Sequence, residues 1–150
     1  MPELDNFICN EDDLGLEYSI STNSFKIDDL EFIMFHTKRF DKNGILNYYQ
    51  WVMEIKNEIP FAYSIEPLFF PSKQDTNQKY LDQLDKFRIM SGKPFTKYNV
   101  FYAMSAHCLN NELLIAGGLN ECQSVLYKIN KSDFLNWFDN NKVLISECYI

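Results

Sequence analysis

The sequence predicts an α+β fold: one domain, with a largely antiparallel sheet and two or three helices packed on one of its faces. Three observations predict it. Short stretches of alternating apolar and polar residues recur along most of the chain, with the two-residue period of a half-buried strand. Up to three stretches carry apolar residues at helical spacing instead. The turns between neighbouring strand patterns are short, which favours antiparallel pairing over crossovers. At 150 residues the chain fits a single domain, 1–150, and such a length buries roughly two-thirds of its unfolded surface.

Residues 1–13 are polar and acidic apart from Phe7 and Ile8; they read as an acidic arm, docked through those two side chains, or as a short strand. Residues 14–21 alternate apolar and polar four times, a strand pattern that Phe25 and Ile27 resume after the turn signal Thr22-Asn23-Ser24. Residues 30–40 are dense in Phe, Ile and Met without a helical stripe, and read as a second strand ending at the turn Asp41-Lys42-Asn43-Gly44. Residues 45–59 fit both periods. Ile45, Tyr48, Tyr49, Val52, Ile55 and Ile59 make a helical face, while Tyr49, Trp51, Met53 and Ile55 make a strand face. The polar back formed by Glu54, Lys56, Asn57 and Glu58, and the stop at Pro60, favour the helix.

Residues 61–70 read as a strand ending at Pro71, and 72–78 as a polar loop. Residues 76–90 carry the clearest helical stripe, Tyr80, Leu81, Leu84 and Phe87, with Asp75 as cap and Ser91-Gly92-Lys93-Pro94 as stop. Strand chemistry resumes over 95–108, although Ala103-Met104-Ser105-Ala106 fits a helix as well, and Asn110-Asn111 turns the chain. Residues 113–116 and 124–129 read as two strands joined by a loop containing Gly117-Gly118, glycines suited to positive φ. A short helix over 134–138, capped by Ser132-Asp133, and a closing strand over 143–149 complete the chain.

Composition narrows the function classes. Hydrophobic residues at 46% and aromatic residues at 16% exclude a disordered chain. A pI near 4.8 repels phosphate backbones and argues against a nucleic-acid partner. No apolar run reaches the length of a spanning helix, so no membrane role is expected. Cys9, Cys108, Cys122 and Cys148 are widely spaced, and Met1-Pro2-Glu3-Leu4-Asp5 lacks a secretory start. Four free thiols in a reducing cytoplasm are expected.

No catalytic or cofactor signature stands out, and a non-enzymatic protein without cofactor is expected. His36, His107 and the cysteines lack the paired spacing of a metal site, and His107-Cys108 would point to opposite faces of a strand. Cys108, His107 and Glu112 hold the residue types of a nucleophilic triad but no recognised frame. Gly117-Gly118 follows a strand, yet neither GxGxxG nor a following Lys-Ser/Thr is present. The basic and aromatic cluster Lys86, Arg88, Lys93, Phe95, Lys97 and Tyr98 opposes the net charge of the chain and reads as a solvated helix end.

One asymmetry remains. The first 31 residues hold nine acids against Lys26 alone, a net charge of −8, while the remaining 119 hold twelve acids and thirteen bases. An acidic surface attracts basic partners and speeds their encounter. Glu11, Asp12, Asp13, Glu17, Asp28, Asp29 and Glu31 are therefore the candidate partner-binding residues, with Phe and Tyr side chains as anchors. In size, acidity and lack of a catalytic motif the chain resembles the bacterial immunity proteins that protect a cell from polymorphic toxins, many of them basic nucleases. The resemblance implies an antitoxin that inhibits a toxin domain by occlusion. The alternative is a small enzyme or ligand-binding module built from scattered polar groups such as His36, His107, Cys108 and Tyr102.

Overall fold

Eleven residues of dense strand chemistry, Leu30–Phe40, form a strand on which three others pair. The structure is a computed structural model and describes residues 17–40, 46–68, 98–99, 101–119 and 123–146. Its elements run β1 (Glu17–Ile20), β2 (Phe25–Ile27), β3 (Leu30–Phe40), β4 (Leu46–Lys56), β5 (Ile59–Ser64), β6 (Tyr98–Asn99), β7 (Phe101–Leu109), β8 (Glu112–Leu119), β9 (Gln123–Asn130), α1 (Lys131–Asn141) and β10 (Lys142–Leu144). The first sheet has the order β1-β3-β4-β5-β10, with β2 also on β3 and β6 also on β4. Its pairings are antiparallel except for β6 on β4. The second is the antiparallel meander β7-β8-β9.

This corrects the expected α+β architecture. Among the described residues the chain is mostly strand, in two sheets, with a single helix. The decisive segment is the expected helix over 45–59, of which Leu46–Lys56 form β4 instead. It pairs with β3 from Phe40↔Leu46 to Glu31↔Ile55, so a long neighbouring strand settles a pattern that fits both periods. Its end is a turn and not a helix stop. Asn57 and Glu58 take φ 52° and 63°, the positive values at both central positions that a type I′ hairpin requires, and Lys56 pairs with Ile59 across them. Pro60 lies in β5 opposite Ile55, beside a register shift at Glu54/Ile55, where a missing N–H is tolerated. The helix expected over 76–90 lies outside the described residues.

Local chemistry explains the other boundaries. β1 and β2 run along one edge of β3, at Phe35–Lys38 and Leu30–Phe32. Between them Thr22 Oγ1 accepts from Met34 N at 3.1 Å, so a side chain replaces a ladder bond where the backbone departs. The expected glycine loop at Gly117-Gly118 is instead the interior of β8, paired with Ala103 and Tyr102. Gly117 is required by closeness: a Cβ there would meet the Tyr102 carbonyl oxygen at 2.3 Å and the Phe101 ring at 2.7 Å. The last helix is longer than the predicted 134–138, because Asn130 is its N-cap and accepts from Ser132 N and Asp133 N. Residues 142–144 form β10, at the start of the expected closing strand, whose residues 147–149 lie outside the described ones.

The two sheets share one core. Phe25, Ile27, Phe32, Met34, Val52 and Ala62 from the first sheet cluster with Phe101, Ala103, Ala106, Leu113, Ile115 and Leu119 from the second. Phe134 and Phe138, four apart on α1 and so on one helical face, complete it. Phe32 lies at the centre of the rings, 5.4 Å from Phe134, 5.2 Å from Phe138 and 5.8 Å from Phe25. Side-chain amides join the sheets where no ladder does. Asn23 Nδ2 donates to the Ala106 carbonyl and Asn23 Oδ1 accepts from Ala106 N, at 3.2 and 3.3 Å. Gln50 Nε2 donates to the Phe101 carbonyl at 2.6 Å.

Candidate functional site: an acidic hairpin tip and a buried histidine

Asp28 and Asp29 form the two-residue turn between β2 and β3, across which Ile27 pairs with Leu30. Asp28 takes φ 54°, a conformation that aspartate accepts more readily than most residues. The hairpin is anchored from behind by buried Phe25, Ile27 and Phe32, so the carboxylates stand on a rigid base. Lys131 Nζ donates to Asp28 Oδ1 at 2.9 Å, and this hydrogen bond raises the Lys131 pKa above its ordinary value. The same lysine's backbone N–H donates to the Asn111 carbonyl at 2.8 Å. The β2–β3 tip, the β7–β8 turn and the start of α1 are thus tied together at one end of the fold.

That end exposes Asp28, Asp29, Glu112 and Asp133 beside Leu30 and Leu109. Glu112 meets Lys128 at 3.7 Å. Among the described residues, Asp29, Glu31 and Asp133 form no ion pair, although Glu31 stands opposite Lys26 in the ladder. Exposed pairs such as Glu112–Lys128 contribute little to stability, and they leave the carboxylates accessible.

Among the described residues, the predicted acidic positions fall at two places along β3. Asp28, Asp29 and Glu31 share one hairpin, whereas Glu17 opens β1 opposite Lys38. Lys38 is seven residues along β3 from Glu31, roughly 23 Å at strand rise. Glu11, Asp12 and Asp13 lie outside the described residues.

The alternative polar set is divided as well. His36 and Tyr102 meet, with ring centroids 5.0 Å apart, whereas His107 is exposed on the far face of β7 and Cys108 is half-buried on the other. Cys108 is a free thiol; Cys9, Cys122 and Cys148 lie outside the described residues. Among the described residues no three His, Cys, Asp or Glu side chains gather to hold a metal ion. Glu54 is buried and has Lys56 Nζ at 3.3 Å, with that ammonium over the Phe61 ring, so its charge is met locally.

Sequence reasoning missed the setting of His36. It is 1% exposed, stacked on Tyr48 at 5.0 Å and 7°, and its Nδ1 lies 2.7 Å from Ser21 Oγ. Gln50 is its direct partner across the ladder. Reading 45–59 as a strand puts Tyr48 and Gln50 on one face of it, which was the available signal; the register sets that face beside His36. Burial, and secondarily the Lys38 ammonium, push the His36 pKa below its ordinary value.

A histidine in the unfolded chain titrates near 6.5, and the folded one resists protonation. Its contribution is therefore complete above about pH 6.5 and is lost as pH falls through that value towards the folded pKa. The urea midpoint is expected to drop between about pH 7.5 and about pH 5, and His36→Phe should flatten that part of the profile. An unchanged slope in the variant would show that other groups carry it.

No protein-family model, no curated protein and no solved structure matches this chain. Among the described residues no helix is long and apolar enough to cross a membrane.

Proposed function

We propose that this chain is a non-enzymatic cytoplasmic binding protein that neutralises a basic protein partner, in the manner of an immunity protein occluding a toxin domain. One observation carries the reading: the Asp28-Asp29 turn stands exposed on a hairpin whose base is buried, with Asp29 unpaired among the described residues. Negative charge held in a fixed geometry steers a cationic partner and selects its orientation. The exposed Leu30 and Leu109 beside it supply apolar contact of the kind that fills the centre of an interface. Occlusion of a cationic active site needs no chemistry from the inhibitor. The rings of His36, Tyr48 and Tyr102 already contact one another, which supports a packing role for them over a catalytic one.

The test is charge reversal. Asp28→Lys with Asp29→Lys is expected to slow association with a basic partner captured from source lysate at low salt by about tenfold or more, while the thermal midpoint stays within a few degrees. Unchanged association with an intact fold would overturn the assignment of these residues.

A further inference from the structure

We infer that one water molecule is held between His36 and Gln50 as a permanent internal ligand at the seam of the two sheets. His36 and Gln50 are Cα partners on β3 and β4, so their Cβ atoms stand about 4.5–5.5 Å apart on one face. They are 1% and 0% exposed. Each uses one polar atom: His36 Nδ1 meets Ser21 Oγ at 2.7 Å, and Gln50 Nε2 donates to the Phe101 carbonyl at 2.6 Å. Each leaves the other atom without a hydrogen-bond partner, His36 Nε2 and Gln50 Oε1.

Two orphan polar atoms on directly paired residues, sealed from solvent, are costly unless a third group joins them. Their chemistry specifies that group. Gln50 Oε1 can only accept. A neutral imidazole carries one N–H and one lone pair; the 2.7 Å contact of Nδ1 with Ser21 Oγ fits either tautomer, so Nε2 either donates to the bridging group or accepts from it. A group that bridges them must donate to Oε1 and either accept from or donate to Nε2. Water does this with two of its four sites. A larger guest is disfavoured by the rings around it: His36 lies 5.0 Å from both Tyr48 and Tyr102, which are 6.3 Å from each other. A cation is disfavoured because no cluster of three His, Cys, Asp or Glu occurs among the described residues.

Oxygen-17 magnetic relaxation dispersion on the full chain counts waters with long residence, and a high-resolution crystal structure locates them. The wild-type chain is expected to show the amplitude of one more long-lived water than Gln50→Met, which keeps the volume and removes Oε1. The crystal should show a single density peak within hydrogen-bond distance of both His36 Nε2 and Gln50 Oε1. Equal dispersion amplitudes in the two chains, a direct His36–Gln50 hydrogen bond, or density too large for water would each overturn the inference. If Gln50→Met does not fold, the wild-type density decides alone.

Discussion

Replacing Phe32 with alanine is expected to lower the free energy of unfolding by about 3–5 kcal/mol. The ring is fully buried and touches rings from two other elements: Phe25 on β2, and Phe134 and Phe138 on α1. Both helix rings meet it edge-on, at 88° and 85°, the arrangement that adds to simple burial. Truncation would leave a void walled by aromatic side chains that are fixed to a strand and a helix, so the site cannot easily collapse. A domain of this size is stable by about 5–15 kcal/mol, so the loss is a large share of the total. Urea denaturation checks it, with Leu126→Ala as control: Leu126 is 57% exposed, and such a surface change should stay within about 0.5 kcal/mol. A loss below about 1 kcal/mol at Phe32 would mean that the helix does not pack on the first sheet through this ring.

Gly117→Ala is the second large effect. The added methyl group would sit 2.3 Å from the Tyr102 carbonyl oxygen and 2.7 and 2.8 Å from two atoms of the Phe101 ring. The first obstacle is backbone of the paired strand, which cannot rotate away; the second is a buried ring held edge-on by Tyr127 at 4.9 Å. Overpacking of this kind costs about 1–3 kcal/mol, and here β7 must also move relative to β8. Gly118 is the control, because a Cβ there meets nothing within 4 Å. Gly118→Ala should be neutral or raise stability by up to about 1 kcal/mol through the unfolded chain. Equal losses at the two glycines would contradict the register Tyr102↔Gly118, Ala103↔Gly117.

Those two neighbours show what was legible in the sequence. The turn chemistry of a Gly-Gly pair is visible in one dimension, but the reason for Gly117 is an atom fifteen residues away. Residues 30–40 were readable because dense Phe, Ile and Met without a stripe fit only a strand, and β3 spans them. Residues 45–59 were not, since Tyr49 and Ile55 belong at once to a face of period 3.6 and a face of period 2; pairing with β3 decided between them. Asn130 was passed over as a cap because it also ends a strand, and one residue does both. The acidic asymmetry was legible as a sum, but the separation of its described positions between the β2–β3 tip and the start of β1 depends on β3 running the length of the sheet. The His36–Gln50 step required the register itself.

The most direct measurement of the functional proposal is the association rate constant with the basic partner as a function of ionic strength. Steering by the acidic hairpin predicts a rate that falls steeply as salt shortens the Debye length from about 30 Å at 0.01 M to about 8 Å at 0.15 M. It also predicts a much shallower slope for the chain carrying Asp28→Lys and Asp29→Lys. A rate that is flat across that range, or the same slope in both chains, would contradict it.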